Sequence, residues 1–427
     1  MTLLLTLAFF TTLLAGVPIA FCLGFTGVVG LWKSGVVTLQ LVPQRMFTGL
    51  DLFPLLAIPL FILAGELMDA GGITKKLVAF SNLLVGHLRG GLAHTTIVAA
   101  MFLSGISGAG VADAAALGSI LIPSMEKEGY DNDFAAAVVA SASVNGPIIP
   151  PSITMVVYAC TVGVSVGGLF IAGFIPGFIL GLGLMVVVYI ISKRYVFIQR
   201  KQRAGLWEII RGSRDAILAL VMPLIILGGI LSGIFTATEA AGVAVLYAFI
   251  VGIIIYRQIE WKQLARIMIS SGVTTSIILF IIGTANILAW VLASQQVPQR
   301  LSAFFLSLGT NPYFILFFVN IFLFIVGMFM ETGAAVILLS PILHPALVSL
   351  GLHPLHVGLV FVLNLSIGLL TPPVGVCLFI ACTIAKISLE KLTRAILPFI
   401  AIEVVVLMIV SFFPPIVLFV PRLFGYA

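Results

Sequence analysis

Charge is what this chain has least of. Only 8% of its 427 residues are Asp, Glu, Lys or Arg, against 61% hydrophobic, and the mean hydropathy is +1.27. No soluble domain can hide that much apolar surface, and no polar stretch is long enough to fold as one. Cysteine is scarce as well. Cys22, Cys160, Cys377 and Cys382 all lie in apolar runs and read as small buried residues, not disulfides. No Cys/His cluster has metal-ligand spacing, there is no G-x-x-x-x-G-K-[ST], and there is no H-E-x-x-H. Nucleotide hydrolysis and zinc-peptidase chemistry lose their signatures, and the chain does not read as an enzyme. A basic n-region is missing from "MTLLLTLAFFTTLLAGVPIAF", which predicts a retained first span and not a cleaved signal peptide.

What is present is apolar helix. The runs are continuous and not alternating, which favours an all-α polytopic membrane protein over a β-barrel. At about 20 residues per span there is room for roughly ten to twelve. The net charge of +6 sits in short loops, so it marks topology and not nucleic-acid binding. The richest cluster is "SKRYVFIQRKQRAGLWEIIRGSR", with Lys193, Arg194, Arg200, Lys201, Arg203, Arg211 and Arg214 against Glu208. It is expected in the cytoplasm. Apolar runs at about 216–234 and 240–256 return the chain to the same side at Arg257, Lys262 and Arg266.

Two adjacent prolines interrupt membrane-grade sequence twice, in "NGPIIPPSITMVVYACT" (145–161) and "IGLLTPPVGVCLFIACT" (367–383). Proline removes an N–H and clashes with the preceding turn, so no regular helix runs through either pair. A shift of 222 positions aligns them without a gap: Gly105 on Gly327, Pro123 on Pro345, Gly146 on Gly368, Pro150-Pro151 on Pro372-Pro373, Pro176 on Pro398. Glycine and proline kept in register point to an internal duplication. Paired repeats with interrupted helices are commonly inverted, with the breaks at a midplane site. The expected organisation is a first repeat at 1–192 (hairpin about 98–130, broken helix about 134–165) and a basic linker at 193–215. A second repeat follows at 216–427 (hairpin about 314–352, broken helix about 355–387).

A small-residue segment precedes each proline pair: "SGISGAGVADAAALGS" (104–119) and "GMFMETGAAVILLSP" (327–341). Each reads as the tip of a re-entrant helical hairpin; the competing reading is close helix packing. Oxygens at such breaks suit Na⁺. One site would use Ser104, Ser107, Gly146, Ile149 and Pro150, and the other Gly327, Thr332, Gly368, Thr371 and Val374. An anionic substrate would lie between the tips, facing helix N-termini. Ser107, Gly108, Asp113, Ser143, Asn145, Pro151, Asn364, Ser366 and Pro373 are its candidate contacts, with Ser141 as a further hydrogen-bonding group. Among the intramembrane acids Asp113, Glu66, Glu239, Glu331 and Glu403, Asp113 is favoured for function. Glu403 is expected at a span end, reaching water or a base. The histidines, His87, His94, His344, His353 and His356, are expected in or near turns.

"SGISGAGVADAAALGSILIPSMEKEGYD", "GPIIPPSITMVVYACTVGVSVGGLFIAGFIPG", "GIFTATEAAGVAVLYA", "LTPPVGVCLFIAC" and "PLFILAGELMDAGGI" resemble the large membrane subunit of tripartite ATP-independent periplasmic (TRAP) transporters. The likeness covers essentially the whole chain, and its finer features lean toward the sialic-acid branch. It implies Na⁺-coupled uptake of an organic acid across the bacterial inner membrane by an elevator movement, with no cofactor beyond about two coupling ions. It also implies two protein partners: a small four-helix membrane subunit, expected as a separate polypeptide, and a periplasmic substrate-binding protein. The alternatives are a stand-alone Na⁺/dicarboxylate-type symporter, the permease of an ATP-driven importer, and a channel. A gradient suffices energetically: one Na⁺ crossing ~100 mV releases roughly 2.3 kcal/mol.

Overall fold

In a computed structural model the protein is described for residues 2–35, 40–194, 203–308 and 311–426; Arg200 and Lys201 of the basic cluster lie outside them. Every regular element among the described residues is helical. The first arm holds α1 (Thr2–Leu14), α2 (Ile19–Ser34), α3 (Leu41–Leu50), α4 (Ala57–Ala70) and α5 (Ile73–Val85). Pro18 splits the expected first span into α1 and α2, because it cannot donate within a helix. Next come α6 (Gly91–Ser107), α7 (Gly110–Lys127), α8 (Asn132–Ser143), α9 (Ile153–Val162) and α10 (Val166–Ile191). The second arm is α11 (Leu206–Leu231), α12 (Ala237–Phe249, continued as a π-helix over Ile250–Ile255), α13 (Trp261–Ser294) and α14 (Val297–Leu308). After it run α15 (Pro312–Gly327), α16 (Thr332–Ser349), α17 (Pro354–Gly368), α18 (Val376–Ala385), α19 (Leu389–Phe412) and α20 (Pro414–Leu423).

Six helices among the described residues are long and apolar enough to cross a membrane unaided: α4 with its preceding 3₁₀ turn, α10, α12 with its π extension, α13, α16 and α19. Others, including α6, α9, α15, α17 and α18, are equally apolar but shorter. The sequence count of ten to twelve treats such broken segments as whole spans. Large apolar side chains such as Phe174, Phe178, Phe314, Phe318 and Phe322 stand exposed. A soluble surface does not carry such patches, and lipid accounts for them. The chain is a multi-pass membrane protein.

The helix bounds keep the 222-residue register. α7 and α16 begin and end 222 apart, α8 and α17 begin 222 apart, and α10 and α19 match within one residue. Packing is crossed between the halves: α7 lies against α18, and α16 against α9. α8 and α17 form the centre, buried from Phe134 to Ser143 and from Leu355 to Gly368. The arms pack outside them, α2 and α3 on α13, and α4 on α12. The basic segment is partly helical: Arg211 and Arg214 already belong to α11, whose Glu208 returns to the Gly205 N–H as an N-terminal cap.

Two expectations are corrected. His344 is buried inside α16, while His94 and His356 lie in the first turns of α6 and α17, next to turns as expected but buried. Glu403 is not at a span end. It sits in the middle of α19, fully buried, and neither carboxyl oxygen has a hydrogen-bond partner.

Candidate transport site

The chain breaks where the sequence says that it must. α6 ends at Gly108, whose φ of +62° only glycine adopts cheaply. A side chain there would also meet the Pro151 carbonyl at 2.6 Å. Ile153 N–H donates to Gly108 O at 3.2 Å, so the α6–α7 tip is tied to the proline break of α8–α9. Ser152 caps α9, accepting from Met155 N–H at 3.2 Å and donating to Pro147 O at 2.6 Å. The second half is tied alike: Val374 N–H donates to Met328 O at 3.1 Å, and Thr332 Oγ1 to Leu365 O at 3.3 Å. Both proline pairs are joined by cis peptide bonds.

Asp113 lies in the first turn of α7, fully buried. Ser107 Oγ donates to its Oδ1, and Ser104 Oγ donates to Oδ2 at 3.2 Å. Gly146 presses on the same carboxyl, since a Cβ there would stand 2.8 Å from Oδ2 and 2.7 Å from Gly110 N. Ser104, Ser107, Asp113 and Gly146 are therefore brought together. Pro150 is adjacent, its carbonyl 3.7 Å from a Cβ built on Gly105. Ile149 turns its side chain outward to Gly177. On the other side Gly327 and Gly368 touch backbone to backbone, a Cβ on Gly368 falling 2.5 Å from Gly327 C. Thr371 Oγ1 donates to Ile367 O at 3.0 Å. The two clusters differ in their acids: position 335, in register with Asp113, is alanine, and the second tip carries Glu331 instead.

Between the breaks lies a cavity of about 790 Å³, within the range that holds small organic ligands. Ser107, Gly108 and Asp113 line it from the α6–α7 tip, and Glu331, Thr332 and Gly333 from the α15–α16 tip. α4 adds Glu66 and Asp69. Glu66 accepts from Ser270 Oγ at 3.1 Å, and Asp69 from Thr74 Oγ1 at 2.6 Å. Glu331 caps α16 by accepting from Ala334 N–H at 3.0 Å. Thr154 and Thr274 also line the space. Asp69, Thr154 and Thr274 are not among the residues singled out from the sequence. Asp69 lies in the family-like run "PLFILAGELMDAGGI", whose signal pointed there without naming a residue.

The other candidates stand behind this wall. Ser143 Oγ donates to Ala140 O at 2.6 Å and Ser366 Oγ to Val362 O at 2.6 Å, while Asn364 Nδ2 donates to Asn320 Oδ1 at 2.9 Å. Ser141 Oγ and Asn145 Oδ1 are buried without partners. Pro151 packs at Gly108, and Pro373 lies in the α17–α18 break. Glu239 completes an N-terminal capping box with Thr236 and serves its own helix.

The family model for the tripartite ATP-independent periplasmic transporter, DctM component, matches residues 6–416. The chain belongs to the TRAP transporter family. It is 41% identical to the C4-dicarboxylate TRAP transporter large permease protein DctM of Pseudomonas aeruginosa, over 94% of each chain. It is 38% identical to the sialic acid TRAP transporter large permease protein SiaM of Vibrio cholerae, over 97% of each. The fold is similar to that of the Alcanivorax borkumensis YdaH transporter, with a TM-score of 0.62 at 14% identity, over 87% of this chain and 88% of that one. The two sequence relatives are TRAP permeases and not enzymes. The family assignment sets aside the stand-alone symporter, the ATP-driven importer and the channel.

Proposed function

We infer that this TRAP permease takes up an organic acid anion across the bacterial inner membrane, driven by a Na⁺ gradient. The observation that carries this reading is the single cavity lined by both helix breaks, with a buried carboxylate at one. Ser104, Ser107 and Asp113, with backbone oxygens at Gly146, Ile149 and Pro150, supply one Na⁺ site. Gly327, Thr332, Gly368, Thr371 and Val374 supply the second. Na⁺ at both sites offsets the carboxylates around the cavity, so the anion binds after the cations; its contacts come from the tips at Ser107, Gly108 and Thr332. Ser143, Asn145, Asn364 and Ser366 hold the breaks in shape from behind.

The 222-residue register of helix ends and the crossed packing support a two-repeat reading, with boundaries near 1–192 and 216–427. Inverted repeats place the two breaks at the midplane. α6–α9 and α15–α18 then move as an elevator against the arms. The partners are a small membrane subunit on the lipid-facing arms and a periplasmic binding protein. Relatives named for C4-dicarboxylates and for sialic acid bracket the cargo: a small carboxylic acid. The sialic-acid lean of the sequence gains no preference, since the identities are 41% and 38%.

Thermal unfolding of the purified permease tests the binding order. Na⁺ near 100 times its Kd is expected to add about 2.7 kcal/mol of stability, and succinate or sialic acid to add more only when Na⁺ is present. Stabilisation by the acid alone, equal with K⁺ or Na⁺, would remove the coupled-site reading.

A further inference from the structure

Glu403 takes no part in the transport site described above, yet it is fully buried with two unpartnered oxygens. Residues four and seven apart share a helix face, so Glu403 lies on the stripe of α19 that carries Phe399 and Val406. Ser141 lies on the stripe of α8 that carries Phe134 and Val138. The rings of Phe134 and Phe399 meet with centroids 6.2 Å apart, so these stripes face one another across the α8–α19 seam. Ser141, on the facing stripe, likewise has a buried hydroxyl without a partner.

No base answers this carboxyl. On the elements packed against α19, α8 offers Asp133, α10 Tyr189, α15 Tyr313 and α17 His356. α18 offers Cys377 and Cys382, and α20 offers Arg422 at its far end. His356 is engaged with Val410 O at 2.9 Å. On α19 itself Lys391 and Arg394 lie in the first two turns, and Arg394 pairs with Glu390 at 2.7 Å. A bare carboxylate in such a seam is far more costly than a neutral acid. A metal ion is a poor remedy, because it needs a shell of several oxygens. α19 runs from Leu389 to Phe412, its internal Pro398 frees only the Arg394 carbonyl more than two turns before Glu403, and no metal-holding cluster of His, Cys, Asp and Glu occurs among the described residues. A proton needs one oxygen, and the neutral acid it makes needs no counter-charge.

We propose that Glu403 is a proton-binding site in the α8–α19 seam and that transport requires it occupied. The step is the addition of one H⁺ to one carboxylate oxygen. Its loss leaves a charge that draws water between two central helices. Infrared spectra of the reconstituted full chain test the site without reference to transport. Near neutral pH the wild type is expected to show the carbonyl band of a protonated acid that E403Q lacks. Asp113→Asn, which removes the other fully buried acid, is expected to leave the band in place, so the assignment holds even where E403Q fails to fold. A carboxylate stretch in place of that band, or its conversion to one on adding Na⁺, would overturn the proposal. The uptake arm rests on the transport reading. Wild-type uptake is expected to fall about tenfold per pH unit on an alkaline limb, and E403Q to flatten that limb. The same limb in both proteins, or none in the wild type, would overturn the requirement.

Discussion

At Asp113 two serine hydroxyls converge on one buried carboxyl, at the N-terminal end of a helix whose free N–H groups favour negative charge. Asp113→Asn is expected to keep the fold, because the amide is isosteric: Ser107 still finds an oxygen, and Ser104, which also donates to Ala100 O, can accept from the amide N–H. Apparent Na⁺ affinity should fall about tenfold or more, which is ~1.4 kcal/mol. Sodium titration of uptake with unchanged kinetics would return Asp113 to a packing role. This residue was legible because an acid amid Gly and Ser has few structural uses. Asp69 was not, because an acid near a helix end reads as a solvated terminus until α4 is seen beside the tip. Glu403 misled for the opposite reason. An acid 24 residues from the C-terminus reads as a span end, whereas α20 still follows it and α8 covers it.

Among the elements, the proline breaks matter most, since each frees backbone groups inside the membrane that an ion can use. Pro150→Ala and Pro372→Ala restore an N–H and remove the ring clash, and both are expected to lower sodium-driven uptake as helix re-forms through the site. Normal sodium dependence in both variants would remove the helix-break account. Gly368 offers a separate check. Its Cβ would fall 2.5 Å from the Gly327 backbone, where neither side can yield cheaply. Gly368→Ala is expected to cost about 1–3 kcal/mol by overpacking, read as a lowered unfolding temperature. The breaks and their register were readable, because proline and glycine act locally. The packing that pairs α7 with α18 and α16 with α9 was not, because no local signal says which half an apolar face will meet.

For the whole molecule, low charge and continuous apolar runs were enough to read a polytopic helical protein, and the basic loops predict an orientation. Six helices among the described residues are long enough to cross alone, and the other apolar segments of the expected ten to twelve are shorter or broken. The proposed inverted repeats would place residues 104 and 326, in register, on opposite sides of the midplane. Single-cysteine labelling from each side should find them oppositely accessible; equal labelling from one side would make the halves parallel. The central claim is tripartite, sodium-coupled uptake, and proteoliposomes test it most directly. They would hold this chain with its small membrane partner, and take up labelled sialic acid or a C4-dicarboxylate with and without an inward Na⁺ gradient and the binding protein. Uptake that needs both the gradient and the binding protein is the predicted result. Equal uptake in the absence of either would contradict it.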